Sequence, residues 1–293
     1  MFFSSAVFTR MSLKRSAIFY LCAALMACLA TFTTAHAETT LERIQRTGEI
    51  RIGYANEKPF AYSETDGSVT GESPEIIKAV MEQMGVKKVN AVLTEWGGLI
   101  PGLLAGRYDV IAAGMYVTAE RAEQVLFTDP HYKLGDGLLV AKGNPKKLKS
   151  YEDFVKDQKT KVAVMAGTVQ YRAARAAGVP EGQILQVLNV IAQLQAVRTK
   201  RADAAAATLL TARELATKGG KAVEVIPDFD GGPASVGYGA LAFRKNDEDL
   251  RDRVNAILKE WIGTEAHLKT VAPLGFDEAT LPDKTVEELI ATQ

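Results

Sequence analysis

The sequence predicts an α/β protein made of two similar halves, each a mainly parallel sheet flanked by helices, with a cleft between them. Three observations carry this expectation. Apolar runs of strand length alternate with helix-length segments from residue 49 to residue 243. The boundaries between them carry caps, glycines and prolines. Of 293 residues, 47% are apolar and 24% charged, which is ordinary for a chain that buries a core.

The elements follow in order. Residues 49–54 (EIRIGY) form an apolar run of strand length. Ser73-Pro74-Glu75 supplies a cap, a proline for the first helical position and a first-turn acid, so a helix starts there and stops at Gly85. Residues 89–94 are a strand, and 99–105 a helix ended by Gly106. Residues 108–115 are a strand, and Thr118 caps a short helix. Val125-Leu126-Phe127 leads into the turn signal Asp129-Pro130. The alternation then repeats. Residues 137–141 are a strand. Ser150 with Asp153 has capping-box spacing and opens a helix. Strands at 161–165, 184–188 and 202–207 alternate with helices at 168–177, 189–200 and 209–218. Strands at 223–226 and 238–243 follow, and helices fill the C-terminal tail. The loop 228–237 (DFDGGPASVG) is the expected crossing between halves.

The first 37 residues differ from the rest. They carry Arg10, Lys14 and Arg15 without any acid, an apolar stretch at 17–29, and Ala35-His36-Ala37. That pattern reads as a secretory signal peptide, residues 1–37, and its apolar core is short for a membrane span. Leu25-Met26-Ala27-Cys28 also resembles a lipoprotein cleavage box, but methionine fits that box poorly and the A-x-A site is preferred over lipid anchoring at Cys28. Taking the three leader cations from 35 leaves 32 basic against 35 acidic residues, a net charge of −3. Such a chain has no bulk attraction for nucleic acid. Both cysteines, Cys22 and Cys28, fall in the leader, so the mature protein has no disulfide, thiolate metal site or cysteine nucleophile. Only His131 and His267 remain, a poor basis for zinc or a Ser-His-Asp hydrolase.

An ordered series of short motifs spans the mature chain: Gly67-x-x-x-Gly71-x-x-x-Glu75, Leu99-Ile100-Pro101-Gly102-Leu103, Arg107-Tyr108-Asp109, Thr118-x-Glu120-Arg121, Asp129-Pro130, Gly167-Thr168, Arg201-Ala202-Asp203 and Gly275-Phe276. The series resembles the polar amino-acid family (family 3) of periplasmic solute-binding proteins of ABC importers. Within it, 55–60 (ANEKPF), Glu95-Trp96-Gly97 and Gly114-Met115-Tyr116 are most similar to the members that bind ectoine and hydroxyectoine. The resemblance implies the two-lobe periplasmic binding protein fold (type II), with lobe 1 at 38–130 plus 236–293, lobe 2 at 131–235, and a two-crossing hinge. It implies a periplasmic monomer that does no chemistry, needs no cofactor or metal, takes a small zwitterion and docks on an ABC permease in the inner membrane.

The resemblance also implies a first-lobe aromatic cage with an acid and an arginine, at Glu57, Phe60, Trp96, Tyr116 and Arg121. This chain has Trp96 where the family pattern has Tyr, and Tyr116 where it has Phe, so the cage keeps its aromatic character and changes shape. Arg121 suits a two-point grip on a carboxylate, against the plain alternative of a solvated arginine at a helix start. Gly167 and Thr168 join a strand to a helix, where free N–H groups bind anions, or where a threonine simply caps. Phe60, Trp96 and Tyr116 follow predicted strands, at the ends where open α/β sheets bind ligands, although each alone suits core packing. Their faces suit a cation. Relatives that bind α-amino acids keep an acid where this chain has Thr208, which favours a delocalised or crowded cation over a free α-ammonium. A betaine or an N-substituted amino acid fits nearly as well as ectoine, and the alternatives are an ordinary polar amino acid, an opine, the ligand-sensing domain of a receptor, or a cleft dehydratase with Glu57 as acid or base. The sequence places no second ionisable group beside Glu57 to complete such a pair. His131, near the hinge, His267 and Trp261 are expected to be structural, and 204–207 (AAAA) to be a tightly packed strand.

Overall fold

The structure is a computed structural model that describes residues 37–232 and 235–292. The leader cysteines Cys22 and Cys28, and with them the candidate lipid box, lie outside the described residues. A compact unit begins at Thr40.

Among the described residues there are twelve strands: β1 (Glu49–Tyr54), β2 (Tyr62–Ser63), β3 (Val69–Thr70), β4 (Lys88–Leu93), β5 (Val110–Tyr116), β6 (Val125–Phe127), β7 (Tyr132–Ala141), β8 (Val162–Met165), β9 (Ile184–Val187), β10 (Ala204–Thr208), β11 (Val223–Ile226) and β12 (Val236–Arg244). The main path runs β4-β1-β5-β12-β7-β10-β8-β9, with β6 on β12 and β11 on β7, while β2 and β3 form a separate hairpin. β4, β1 and β5 are parallel, as are β10, β8 and β9. β12 and β7 run antiparallel to their neighbours and join the two parallel groups. The α/β expectation therefore holds, but the expectation of mainly parallel sheets is corrected: among the described residues four strand pairings are parallel and six antiparallel, because β7 and β12 run against their neighbours and β6, β11 and the hairpin add antiparallel pairs.

The inner parallel strands β5 and β8 are apolar because both faces are covered, whereas the outer strands β4 and β9 are only partly buried. All seven residues of β5 are buried, with the helix Glu72–Gln83 packed on one face. Ile76, Ile77, Val80 and Met81 of that helix are fully buried against Ile50, Ile52 and Val110. In the second half, β8 is buried throughout, and Val162 and Val164 pack with Phe154 and Tyr151.

β7 is the residue-by-residue link between the halves. Tyr132 to Gly135 pair with β12, and from Asp136 onward the strand pairs with β10. The sequence places this strand only from residue 137. Lys133, Gly135 and Asp136 interrupt its apolar run, and the ladder to β12 supplies the extension. The expected crossing loop is likewise shorter, because β12 begins at Val236 and pairs at once with Gly135.

Two further expectations are corrected. Ser73 does not cap its helix. The helix begins at Glu72 behind Gly71, which adopts φ 121°. A Cβ there would lie 2.6 Å from the Phe60 carbonyl oxygen, so glycine allows the close approach. Ser73 Oγ instead donates to Glu72 Oε2 (2.8 Å) and accepts from the Gly114 N–H (2.9 Å), fastening the helix to β5. The segment 125–127, read only as the approach to a turn, is strand β6. The helix Thr40–Thr47 and the β2–β3 hairpin were not anticipated.

Candidate ligand-binding site

The predicted residues come from four strand ends. After β1 the chain makes a tight loop closed by reciprocal backbone bonds between Glu57 and Ala61 (2.8 and 3.0 Å), which carries Glu57 and Phe60. After β4, Trp96 opens a single 3-10 turn. Tyr116 ends β5, and Thr118 Oγ1 accepts from the Arg121 N–H (3.2 Å) to cap the short helix Ala119–Ala122. After β8, Thr168 is the N-cap of the helix Val169–Ala176. Strand ends of one direction thus converge, as open α/β sheets arrange them.

Glu57, Phe60, Trp96, Tyr116, Arg121 and Thr168 line one cavity of about 30 Å³. Gly167 joins them through its backbone. Its carbonyl oxygen accepts from Trp96 Nε1 (3.2 Å) and from an Arg121 guanidinium nitrogen (3.1 Å). The other Arg121 terminal nitrogen donates to the Tyr116 carbonyl (2.7 Å). The guanidinium lies 5.6 Å from the Trp96 ring centroid, within cation–π range. Thus the Gly167 turn, expected to offer N–H groups, offers a carbonyl to the cavity side. Gly167 has φ +80°, a left-handed backbone that glycine adopts without strain. The Thr168 hydroxyl is spent on the Met165 carbonyl (2.7 Å).

Phe60 and Tyr116 serve two purposes. Besides lining the cavity they belong to a buried aromatic cluster, with Phe60 5.3 Å from Tyr132 and 5.7 Å from Phe276, and Tyr116 6.1 Å from Tyr132. The Tyr116 hydroxyl donates to the Leu134 carbonyl (3.1 Å). These partners hold the two rings in fixed orientations.

The charges are buried. Glu57 is 7% exposed, and its Oε1 accepts from the Thr211 hydroxyl (2.8 Å). Burial pushes its carboxyl up to about 7, a rise that the Thr211 bond only partly offsets. Arg121 is 5% exposed. Burial first, then the nearby Arg172 cation, bring its guanidinium down to about 10.

Sequence reasoning missed several residues of this cavity. Met165, Gln170, Gln193, Ala206, Ala207 and Thr208 also line it. The alanine run was read as packing alone. Its small side chains leave room at the cavity, and that is the signal that was present. Thr208, read only as a missing acid, also caps the helix Leu209–Gly219. A second buried acid, Asp136, stands directly behind Gln170, and its Oδ1 accepts from Gln170 Nε2 (2.7 Å). Nothing in its surroundings in the sequence marks it.

The histidines are structural. Buried His131 places Nδ1 2.5 Å from Glu72 Oε1, and His267 Nδ1 accepts from the Gly263 N–H (3.1 Å) beside the edge of Trp261. Among the described residues no cluster of His, Cys, Asp and Glu is arranged to hold a metal, and no helix is long and apolar enough to cross a membrane.

The profile of the bacterial extracellular solute-binding proteins, family 3, matches residues 50–269. A Sinorhizobium fredii protein named "Probable amino-acid ABC transporter periplasmic-binding protein y4tE" is 39% identical over 278 residues, covering 91% of this chain and 92% of its own. A crystal structure of EhuB in complex with hydroxyectoine superposes with TM-score 0.82 at 33% identity, over 87% of this chain and 99% of that one. The ancestral amino acid-binding protein AncCDT-1, a precursor of cyclohexadienyl dehydratase, superposes with TM-score 0.71 at 33% identity, over 80% of this chain and 99% of that one.

Proposed function

The chain belongs to the bacterial extracellular solute-binding proteins, family 3, with the type II periplasmic binding protein fold, and from that premise we propose that it captures a small zwitterion, ectoine or hydroxyectoine foremost, for an ABC importer. The observation that carries this reading is the convergence of Arg121, Glu57 and three aromatic residues on one buried cavity. Ectoine carries a carboxylate and a ring amidinium. Arg121 takes the carboxylate, which replaces the Gly167 carbonyl as acceptor and forms stronger, charge-assisted bonds. Phe60, Trp96 and Tyr116 face the delocalised cation, and Glu57 adds a charge-assisted bond to its N–H groups. The cavity holds about one water's volume, so a ligand enters only when Arg121 and Trp96 let go of Gly167.

We place lobe 1 at 38–130 plus 236–293 and lobe 2 at 131–235, with β7 and β12 as the crossings. The bonds from Trp96 and Arg121 to Gly167, and from Thr211 to Glu57, then run from lobe to lobe, and capture closes the lobes. The closed form delivers its cargo to a permease and does no chemistry on it. AncCDT-1, described as an amino acid-binding protein, supports a second reading in which the cargo is an ordinary polar amino acid.

A thermal-shift panel of residues 38–293 tests both readings, because a ligand that binds only the folded state raises the melting temperature. A rise with ectoine or hydroxyectoine alone supports the first reading. A rise with arginine or glutamine alone keeps the importer role and overturns the cage. No rise with any zwitterion overturns both.

A further inference from the structure

Asp136 is 5% exposed, yet among the described residues no lysine or arginine bonds to it; its carboxylate takes the Gln170 amide instead. A buried carboxylate without a cation is costly, and burial pushes this one up to about 7. The fold goes to some length to put it there. Its backbone N–H donates to the Ser235 carbonyl (3.0 Å), at the point where β7 leaves β12 for β10. Gln170 is held as well, since the Tyr151 hydroxyl donates to its backbone carbonyl (3.2 Å). Burial first, then the charges of Asp136 and Glu57, hold the Tyr116 hydroxyl on the cavity wall well above its usual range.

The amide orientation follows from the chemistry of the pair. Gln170 turns its NH₂ to Asp136, the orientation that the ionised carboxylate, which only accepts hydrogen bonds, calls for. Gln170 also lines the cavity, and with its NH₂ committed to Asp136 its carbonyl oxygen remains to accept a bond. The cavity consequently has one guanidinium, Arg121, set against two acids. Glu57 lies on its wall and Asp136 lies one side chain behind it. That imbalance suits a ligand whose carboxylate is accompanied by a cation bearing N–H donors.

We infer that Asp136 is a specificity-determining positioning residue, which fixes the Gln170 carbonyl toward the ligand and supplies a second negative charge that selects for a ligand cation. The inference rests on the cavity being the zwitterion site. It deepens that reading by naming N–H-bearing cations over fully alkylated ones, which have no donor for Gln170.

The test is calorimetry and thermal unfolding of Asp136→Asn, Gln170→Leu and the double variant, with ectoine and with the fully methylated glycine betaine as probes. Asp136→Asn should weaken ectoine binding about tenfold, the scale of a hydrogen bond with a charged partner. Its melting temperature without ligand should stay level or rise, because an unpaired buried carboxylate has been neutralised. Gln170→Leu should lose affinity similarly, and the double variant little more than either. Wild type should favour ectoine over betaine, and Asp136→Asn should narrow that preference. Wild-type affinity in Asp136→Asn overturns the inference. So does a loss of affinity accompanied by a fall in melting temperature, which marks a merely structural role. If wild type binds neither probe nor any zwitterion of the wider panel, the site reading itself fails and the inference falls with it.

Discussion

Arg121 and Trp96 share one acceptor, the Gly167 carbonyl, and in the proposed function a ligand takes that carbonyl's place. Their losses should differ in kind. Arg121→Ala removes the buried cation found on the cavity wall among the described residues and should nearly abolish binding of carboxylate ligands. Trp96→Ala removes a ring face and should weaken binding by more than about tenfold, in keeping with a desolvated cation–π contact. Calorimetry on folded variants checks both, and an unchanged affinity removes that residue from the site. Glu57 makes a prediction about pH. Its carboxyl ionises at the ordinary 4.5 when unfolded and at about 7 when folded. Between these values the folded state binds the proton more tightly. The stability that Glu57 contributes is complete below about 4.5 and is lost as pH rises through about 7. Asp136 acts with the same sign in the same direction. Glu57→Gln lacks this loss, so its stability relative to wild type should climb with pH across the window, by up to about 3 kcal/mol. Urea unfolding of the unliganded proteins at pH 4.5 and 7.5 measures it, and a constant difference would sink the assignment.

At the level of elements, the site depends on how β5 ends. Gly114 has φ +68°, and a Cβ there would fall 2.6 Å from the Phe60 ring. Its N–H is taken by Ser73 Oγ and its carbonyl accepts from the Tyr132 hydroxyl (2.8 Å). One residue therefore ties β5 to the helix Glu72–Gln83, to the Phe60 loop and to β7. Gly114→Ala combines a left-handed backbone with an overpacked ring, and should destabilise the protein by about 2–4 kcal/mol. A shifted urea midpoint at constant slope is the expected result. The nearby Glu72–His131 pair fastens the same helix start to the beginning of β7.

For the whole molecule, closure should be favoured by contacts that never touch ligand. Arg172 on the helix Val169–Ala176 pairs with Glu120 beside Arg121, and both side chains are substantially exposed. An exposed ion pair contributes little, so Arg172→Ala should reduce ligand affinity at most about fivefold, in contrast to Arg121→Ala. Calorimetry again provides the comparison, and a loss as large as that of Arg121→Ala would show that Arg172 binds ligand directly. Small-angle scattering should show a smaller radius of gyration with ligand than without. Equal radii would remove lobe closure from the mechanism.

The sequence by itself determined the alternation of strands and helices, because apolar period and capping residues are local signals. Its motifs, through the family resemblance, also pointed to Glu57, Phe60, Trp96, Tyr116 and Arg121, although Tyr116 ends strand β5 and Arg121 sits on a short helix. Only the tertiary structure decided how those groups are used. Ser73 looked like a cap and is a stitch to Gly114, since a glycine at φ 121° moved the helix start. Gly167 looked like an N–H donor and presents its carbonyl to Arg121 and Trp96, since which group of a peptide is used depends on the partners that packing brings to it. Asp136 carries no local mark at all. Its weight comes from burial beside Gln170 at the strand crossing, and burial belongs to the packed molecule, not to the neighbours of a residue in the chain.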